Sequence, residues 1–236
     1  MTGNWHADNP AETVDNSMLA CGSDRRYAPL PILPVGYLLE KSKSVWSWEI
    51  EVRVKSKWSN KGRERTLDET GGAAAFILWR IAQQGLLNLE NEGFQTESRS
   101  QRMDVIAEFL AFLLHLADRK QAEALDVNER QEFISSLARH LANTMQENRT
   151  DAEGTGDYRG PLIDLLNERG ANYAECPMPD GEPGYAMKRY LGECVTAVMG
   201  AKDNKWITDQ VMDIEVPETL KPLNKALREL FARDPV

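Results

Sequence analysis

The stretch from Thr66 to Phe94, TLDETGGAAAFILWRIAQQGLLNLENEGF, decides the reading of the fold. Thr66 and Glu69 have capping-box spacing, a hydroxyl and a carboxylate three residues apart that satisfy each other's backbone amides. Wound as a helix, Ala74, Ile77, Leu78, Ile81 and Gly85 fall on one face, while Phe76, Trp79, Leu86 and Leu87 fall on others. A helix that is apolar all round is normally buried. Residues 66–92 are therefore expected to form the central pillar of a helical domain. Glycine inside a helix costs about 1 kcal/mol relative to alanine, so Gly71, Gly72 and Gly85 are expected where a neighbouring backbone comes close. Arg80 stands among the apolar residues, and a guanidinium there must be paired or reach outward. It is the candidate for a buried salt bridge to a carboxylate of the second helix, or for an anion site.

Further helices follow the pillar. The second runs from about Ser98 to Leu125 with Ile106, Phe109, Leu110, Leu113, Leu116 and Ala117 inward. A capping-box start at Asp126 opens the third, which continues to about Asn148. Pro161 suits the first position of a helix and Gly170 its end. Three prolines and two glycines make residues 176–184 a turn-rich loop. Tyr185 to Gly200 and Trp206 to Ile214 read as helices, and Pro217 marks a break. The last helix carries a narrow seam of Leu220, Leu223, Leu227 and Leu230, too short for an independent coiled coil and expected to pack on the domain or a partner.

Upstream, residues 1–34 read as a flexible arm ending in a proline-rich strip, Pro29 to Pro34. Residues 35–58 read as a β-hairpin. Its second strand alternates strictly, with Trp46, Trp48, Ile50, Val52 and Val54 on one face and Ser47, Glu49, Glu51, Arg53 and Lys55 on the other. The expected architecture is thus mainly α: a bundle of about six helices around residues 66–92, with an N-terminal hairpin and arm, and a helical domain over 66–236.

Charge is unevenly placed. The chain has 236 residues and a net charge of −9, yet residues 40–65 alone carry +4. A negative average argues against blanket binding to nucleic acid or acidic lipid. Within the positive segment, Lys41, Lys43, Lys61, Arg63 and Arg65 accompany Trp58, and bases with aromatics can hold single-stranded nucleic acid. These six residues are the candidate binding surface for nucleic acid or a protein partner. Cys21, Cys176 and Cys194 form neither a disulfide framework nor a zinc ribbon, which fits a reducing compartment. The N-terminus lacks the apolar core of a signal peptide, and the run from Val105 to Ala117 is too short to span a bilayer. A soluble cytoplasmic protein is expected.

Candidate chemistry is sparse. His115 falls away from its helix's core stripe, beside Asp104, Glu108 and Asp118, and is expected on a solvated polar face. His140 is expected at the boundary of the third helix. Both are candidate metal ligands by residue type alone, since the Glu-x-x-His spacing of di-iron bundles is missing. Cys194 reads as core and Cys176 as a loop thiol. No residue is assigned a catalytic role and no cofactor is expected. The expected function is a non-enzymatic interaction protein, an accessory or assembly subunit with a protein partner or a second copy of itself. The alternatives are nucleic-acid binding through residues 41–65, and an enzyme or metalloprotein using His115, His140 or Cys176 with helix carboxylates.

Overall fold

The computed structural model describes residues 65–200 and 204–232. The arm, the proline strip and the hairpin expected over 1–58 lie outside the described residues. Among the described residues the chain is helical, with six α-helices and no strand. They are α1 (Leu67–Asn91), α2 (Arg99–Gln121), α3 (Val127–Glu153), α4 (Arg159–Ala174), α5 (Tyr185–Met199) and α6 (204–231). The last comprises Asn204–Gln210, a wider π turn over Val211–Glu215, and Val216–Phe231.

The two expected capping boxes are present. Glu69 N–H donates to Thr66 Oγ1 at 3.1 Å and Thr66 N–H donates to Glu69 Oε2 at 3.3 Å, closing the capping box of α1. Asp126 and Glu129 close a second box at the start of α3. Each satisfies amides that a helix's first turn leaves open.

The pillar, however, is α2. Every residue from Val105 to Asp118 is buried, and α2 packs against all five other helices. Helix α1 lies at the side of the bundle, against α2, α3 and α6. Trp79 and Leu86 are buried as expected, but Phe76 is 65% exposed and Leu87 43%. The expectation that residues 66–92 form the buried centre is thus corrected. Both stretches are apolar on several faces, and α2 wins because its two buried carboxylates find partners inside the protein.

The glycines of α1 mark close approach, by the α3 backbone at Gly71 and by side-chain rings at Gly72 and Gly85. A Cβ on Gly71 would lie 2.7 Å from the Ser136 side chain and 3.0 Å from the Leu137 backbone nitrogen of α3. One on Gly85 would lie 3.1 Å from the Phe109 ring of α2. Two helix ends extend past their expected limits. Helix α3 runs on to Glu153, where Arg149 pairs with Asp104 and Glu153 and lies over the Tyr158 ring. Helix α4 continues through Gly170 to Ala174, because the extra turn places Tyr173 in the core against Phe112.

The expected break at Pro217 is absent. Proline lacks an N–H and crowds the carbonyl four residues earlier. Here the preceding turn opens to π geometry, with Val216 N–H reaching Val211 O, and the helix continues. The leucine seam faces inward: Leu223 and Leu227 are buried, and Leu220 and Leu230 pack on the core. No helix among the described residues is long and apolar enough to cross a membrane.

Gly71→Ala tests the α1–α3 contact. Alanine favours a helix by about 1 kcal/mol over glycine, but the methyl would have to displace the α3 backbone. Chemical denaturation is expected to show a net loss of about 1–3 kcal/mol, as for other overpacked contacts. A net gain would mean that α3 yields freely.

Candidate functional site

The buried centre holds a line of polar residues on α2: Glu108, His115, Asp118 and Gln121. Burying charged groups of this kind is costly unless they are paired and hydrogen-bonded. Arg169 of α4 meets Glu108 with two bonds, Nε to Oε2 and Nη2 to Oε1, both 2.9 Å. Its Nη1 donates to Tyr190 Oη of α5 at 3.3 Å, and Asn172 donates to the same oxygen at 2.6 Å. Arg130 of α3 meets Asp118 likewise, at 2.5 and 2.7 Å. Two bidentate pairs thus tie the pillar to α3 and α4. In the same region the Tyr173 ring packs between those of Tyr190, at 5.1 Å, and His115, at 5.5 Å.

This environment sets the protonation states. The hydrogen bonds that Arg169 donates to Glu108 raise its pKa, so its guanidinium stays charged. Burial pushes the Cys194 thiol up to about 12, aided by the charge of Glu108. Burial likewise pushes Tyr190 up to about 12 and Tyr173 well above its ordinary value. Burial, with Arg119 and Arg130 nearby, lowers His115 to about 3. At neutral pH the thiol and phenols keep their protons and the imidazole is neutral. A nucleophile needs a lowered pKa or an adjacent base. A general base works best near the operating pH. This cluster has neither, and its geometry serves cohesion.

The residues singled out in the sequence fall in different places. Lys41, Lys43, Trp58, Lys61 and Arg63 lie outside the described residues. Arg65 is exposed, just before the Thr66 cap. Arg80 is exposed too, with its guanidinium carbon 6.0 Å from the Phe76 ring centroid. The buried salt bridge expected there is corrected: Arg80 faces outward, and Arg169 and Arg130 answer the carboxylates of α2. His115 is buried rather than on a solvated face, a second correction with the same cause. His140 sits at a boundary as expected, with Nε2 3.9 Å from Asp68 and burial lowering its pKa. Cys194 is buried. Among the described residues no group of three or more His, Cys, Asp or Glu side chains is placed to hold a metal ion.

Sequence reasoning missed Glu108–Arg169 and Asp118–Arg130. The signal was the run from Val105 to Ala117, whose apolar residues leave no arc wide enough for a solvated face around Glu108 and His115.

The surface offers a different feature. Phe76, Arg80, Gln83 and Leu87 lie within one narrow arc of α1, along about 16 Å of its length. Phe76, Arg80 and Leu87 are exposed. This stripe is the candidate interaction surface. Comparison of the chain with family models, curated proteins and solved structures finds no match to any of them.

Two measurements test the buried cluster. Arg169→Met leaves Glu108 buried without its cation and is expected to lower stability by about 3–5 kcal/mol. Adding Glu108→Leu is expected to restore much of that loss, and an undiminished loss in the double variant would contradict the pairing. The second concerns acid. In the unfolded chain His115 takes up a proton near its ordinary value of 6.5, but in the folded chain only near 3. Stability is therefore expected to fall as pH drops from about 6.5 towards 3. His115→Gln is expected to flatten that slope, read from denaturation midpoints across the window.

Proposed function

We propose that the protein is a non-enzymatic interaction protein, an accessory or assembly subunit of a larger complex, which engages a protein partner through the outer face of α1. The observation that carries this reading is the exposed stripe of Phe76, Arg80 and Leu87 on a helix whose opposite face is buried. Aromatic residues and arginine are the side chains that most often dominate interface energetics. Arg80 lies over Phe76, so the pair presents a flat apolar surface with a charged rim. The protonation states in the bundle support the same reading, because they favour cohesion over reaction.

The test is site-specific photo-crosslinking in the cells that make the protein. A crosslinker at Gln83, inside the stripe, is expected to trap a defined protein partner, and one at Lys225, on the exposed side of α6, is not. Phe76→Glu with Leu87→Glu is expected to abolish the crosslinked species while leaving the thermal midpoint within a few degrees. Equal crosslinking from both positions, or survival of the adduct in the double variant, would refute the reading.

A second reading rests on the local charge of +4 over residues 40–65. Here Lys41, Lys43, Trp58, Lys61, Arg63 and Arg65 contact nucleic acid. It predicts single-strand binding that weakens steeply with salt and is reduced by reversing the charges at Lys61, Arg63 and Arg65. No binding at low salt would eliminate it.

A further inference from the structure

A cleft of about 790 Å³ opens between the end of α2 and the second half of α6. It is independent of the α1 stripe. The charged residues lining it are Lys120, Lys221 and Arg228, all cations in a chain of net charge −9. Lys221, Asn224, Arg228 and Phe231 recur at spacings of three, four and three residues, which puts them on one face of α6. Leu227 and Phe231 supply apolar lining, and Phe231 is held from the core side by Phe133, edge to face at 5.0 Å.

The cations are not equally engaged. Lys120 donates to Gly181 O at 2.7 Å and pairs with Glu182 at 2.9 Å, and Asn224 donates to the same Glu182 oxygen at 3.1 Å. Glu182 therefore bridges the two walls. Lys221 pairs with Glu218 on the exposed side of its own helix, a contact of the kind that adds little. Arg228 Nε bonds to Asn224 O of its own helix at 3.2 Å, and no carboxylate pairs with Arg228 among the described residues.

Cations near a helix C-terminus also offset the helix dipole, which accounts for Lys120 and Arg228 taken singly. That effect fades beyond the last turn. It does not account for Lys221, more than two turns before the end of α6, nor for the open volume between the walls. The volume lies in the range of small-molecule pockets, about 300–1,000 Å³. A guanidinium presents a planar fork that matches a phosphate or carboxylate.

We propose that this cleft binds a small organic anion. Lys221 and Arg228 hold a phosphate or carboxylate head, and a flat apolar body rests against Phe231 and Leu227. The head could come from either chemistry, so the test uses both.

Phenyl phosphate and phenylacetate are titrated into the full chain by calorimetry, with inorganic phosphate and phenol as half-probes. One of the two complete probes is expected to bind saturably, more tightly than either half-probe and more weakly as salt rises. Arg228→Gln and Lys221→Gln are each expected to weaken it at least about fivefold, the loss of one charge-assisted contact. Lys225→Gln, on the same helix but outside the lining, is expected to leave it unchanged. All three positions are on the surface, so an unaltered thermal midpoint confirms intact folding. No saturable binding at millimolar concentration, binding indifferent to Arg228→Gln, an equal loss in Lys225→Gln, or equal affinity for inorganic phosphate alone would each overturn the proposal.

Discussion

Helix α2 can occupy the centre only because its carboxylates are answered there. An unpaired ionised group in a dry interior costs several kcal/mol, far more than a small bundle can absorb. Glu108 and Asp118 therefore dictate which helices lie beside α2, on which side, and at what height. Arg169 must reach Glu108 from α4, and Arg130 must reach Asp118 from α3. The apolar residues between them allow many arrangements, and the two forks select among these. A buried ion pair adds little net stability over a well-packed apolar pair. Its value here lies in the geometry it demands.

The same arrangement explains the chemistry. Placing Arg169 between Glu108 and Tyr190 ties three helices together and leaves Cys194 beside a carboxylate in an apolar setting. Burial pushes Cys194, Tyr173, Tyr190 and His115 each towards its uncharged form. The exposed stripe of α1 and the cleft beside α6 both lie outside this centre.

Much of this was legible in the sequence wherever the cause was local. The capping boxes at Thr66 and Asp126 are short-range chemistry, and both helices begin where that chemistry places them. The turn-rich loop over 176–184 and the inward seam of α6 are local patterns too. What escaped depends on contacts distant along the chain. Glu108 and Arg169 are 61 residues apart, and neither shows in isolation that the other is present. Apolar faces alone rank α1 above α2, and the distant partners of the α2 carboxylates reverse that order. Gly170 and Pro217 are stop signals by local chemistry, since glycine and proline usually end helices. Tertiary packing of Tyr173 overrode the first, and a local change of winding accommodated the second.

That change of winding has a consequence for the phase of α6. A π turn takes one residue more than an α turn before its hydrogen bond closes, so Val211–Glu215 acts as a single-residue insertion absorbed without a loop. Residues on either side face directions that no uninterrupted 3.6-residue repeat relates. Ile207 and Val211 address the core in one phase, and Leu223 and Leu227 address it in another. Removing one residue from the wide turn would restore a regular helix and rotate its second half by about 100°. The leucines would then leave the core, and the face that carries Lys221 and Arg228 would turn away from α2. The helix is in effect two helices spliced out of step, and the splice is what lets its first half pack on α5 and its second on α1 with both apolar faces turned to the core.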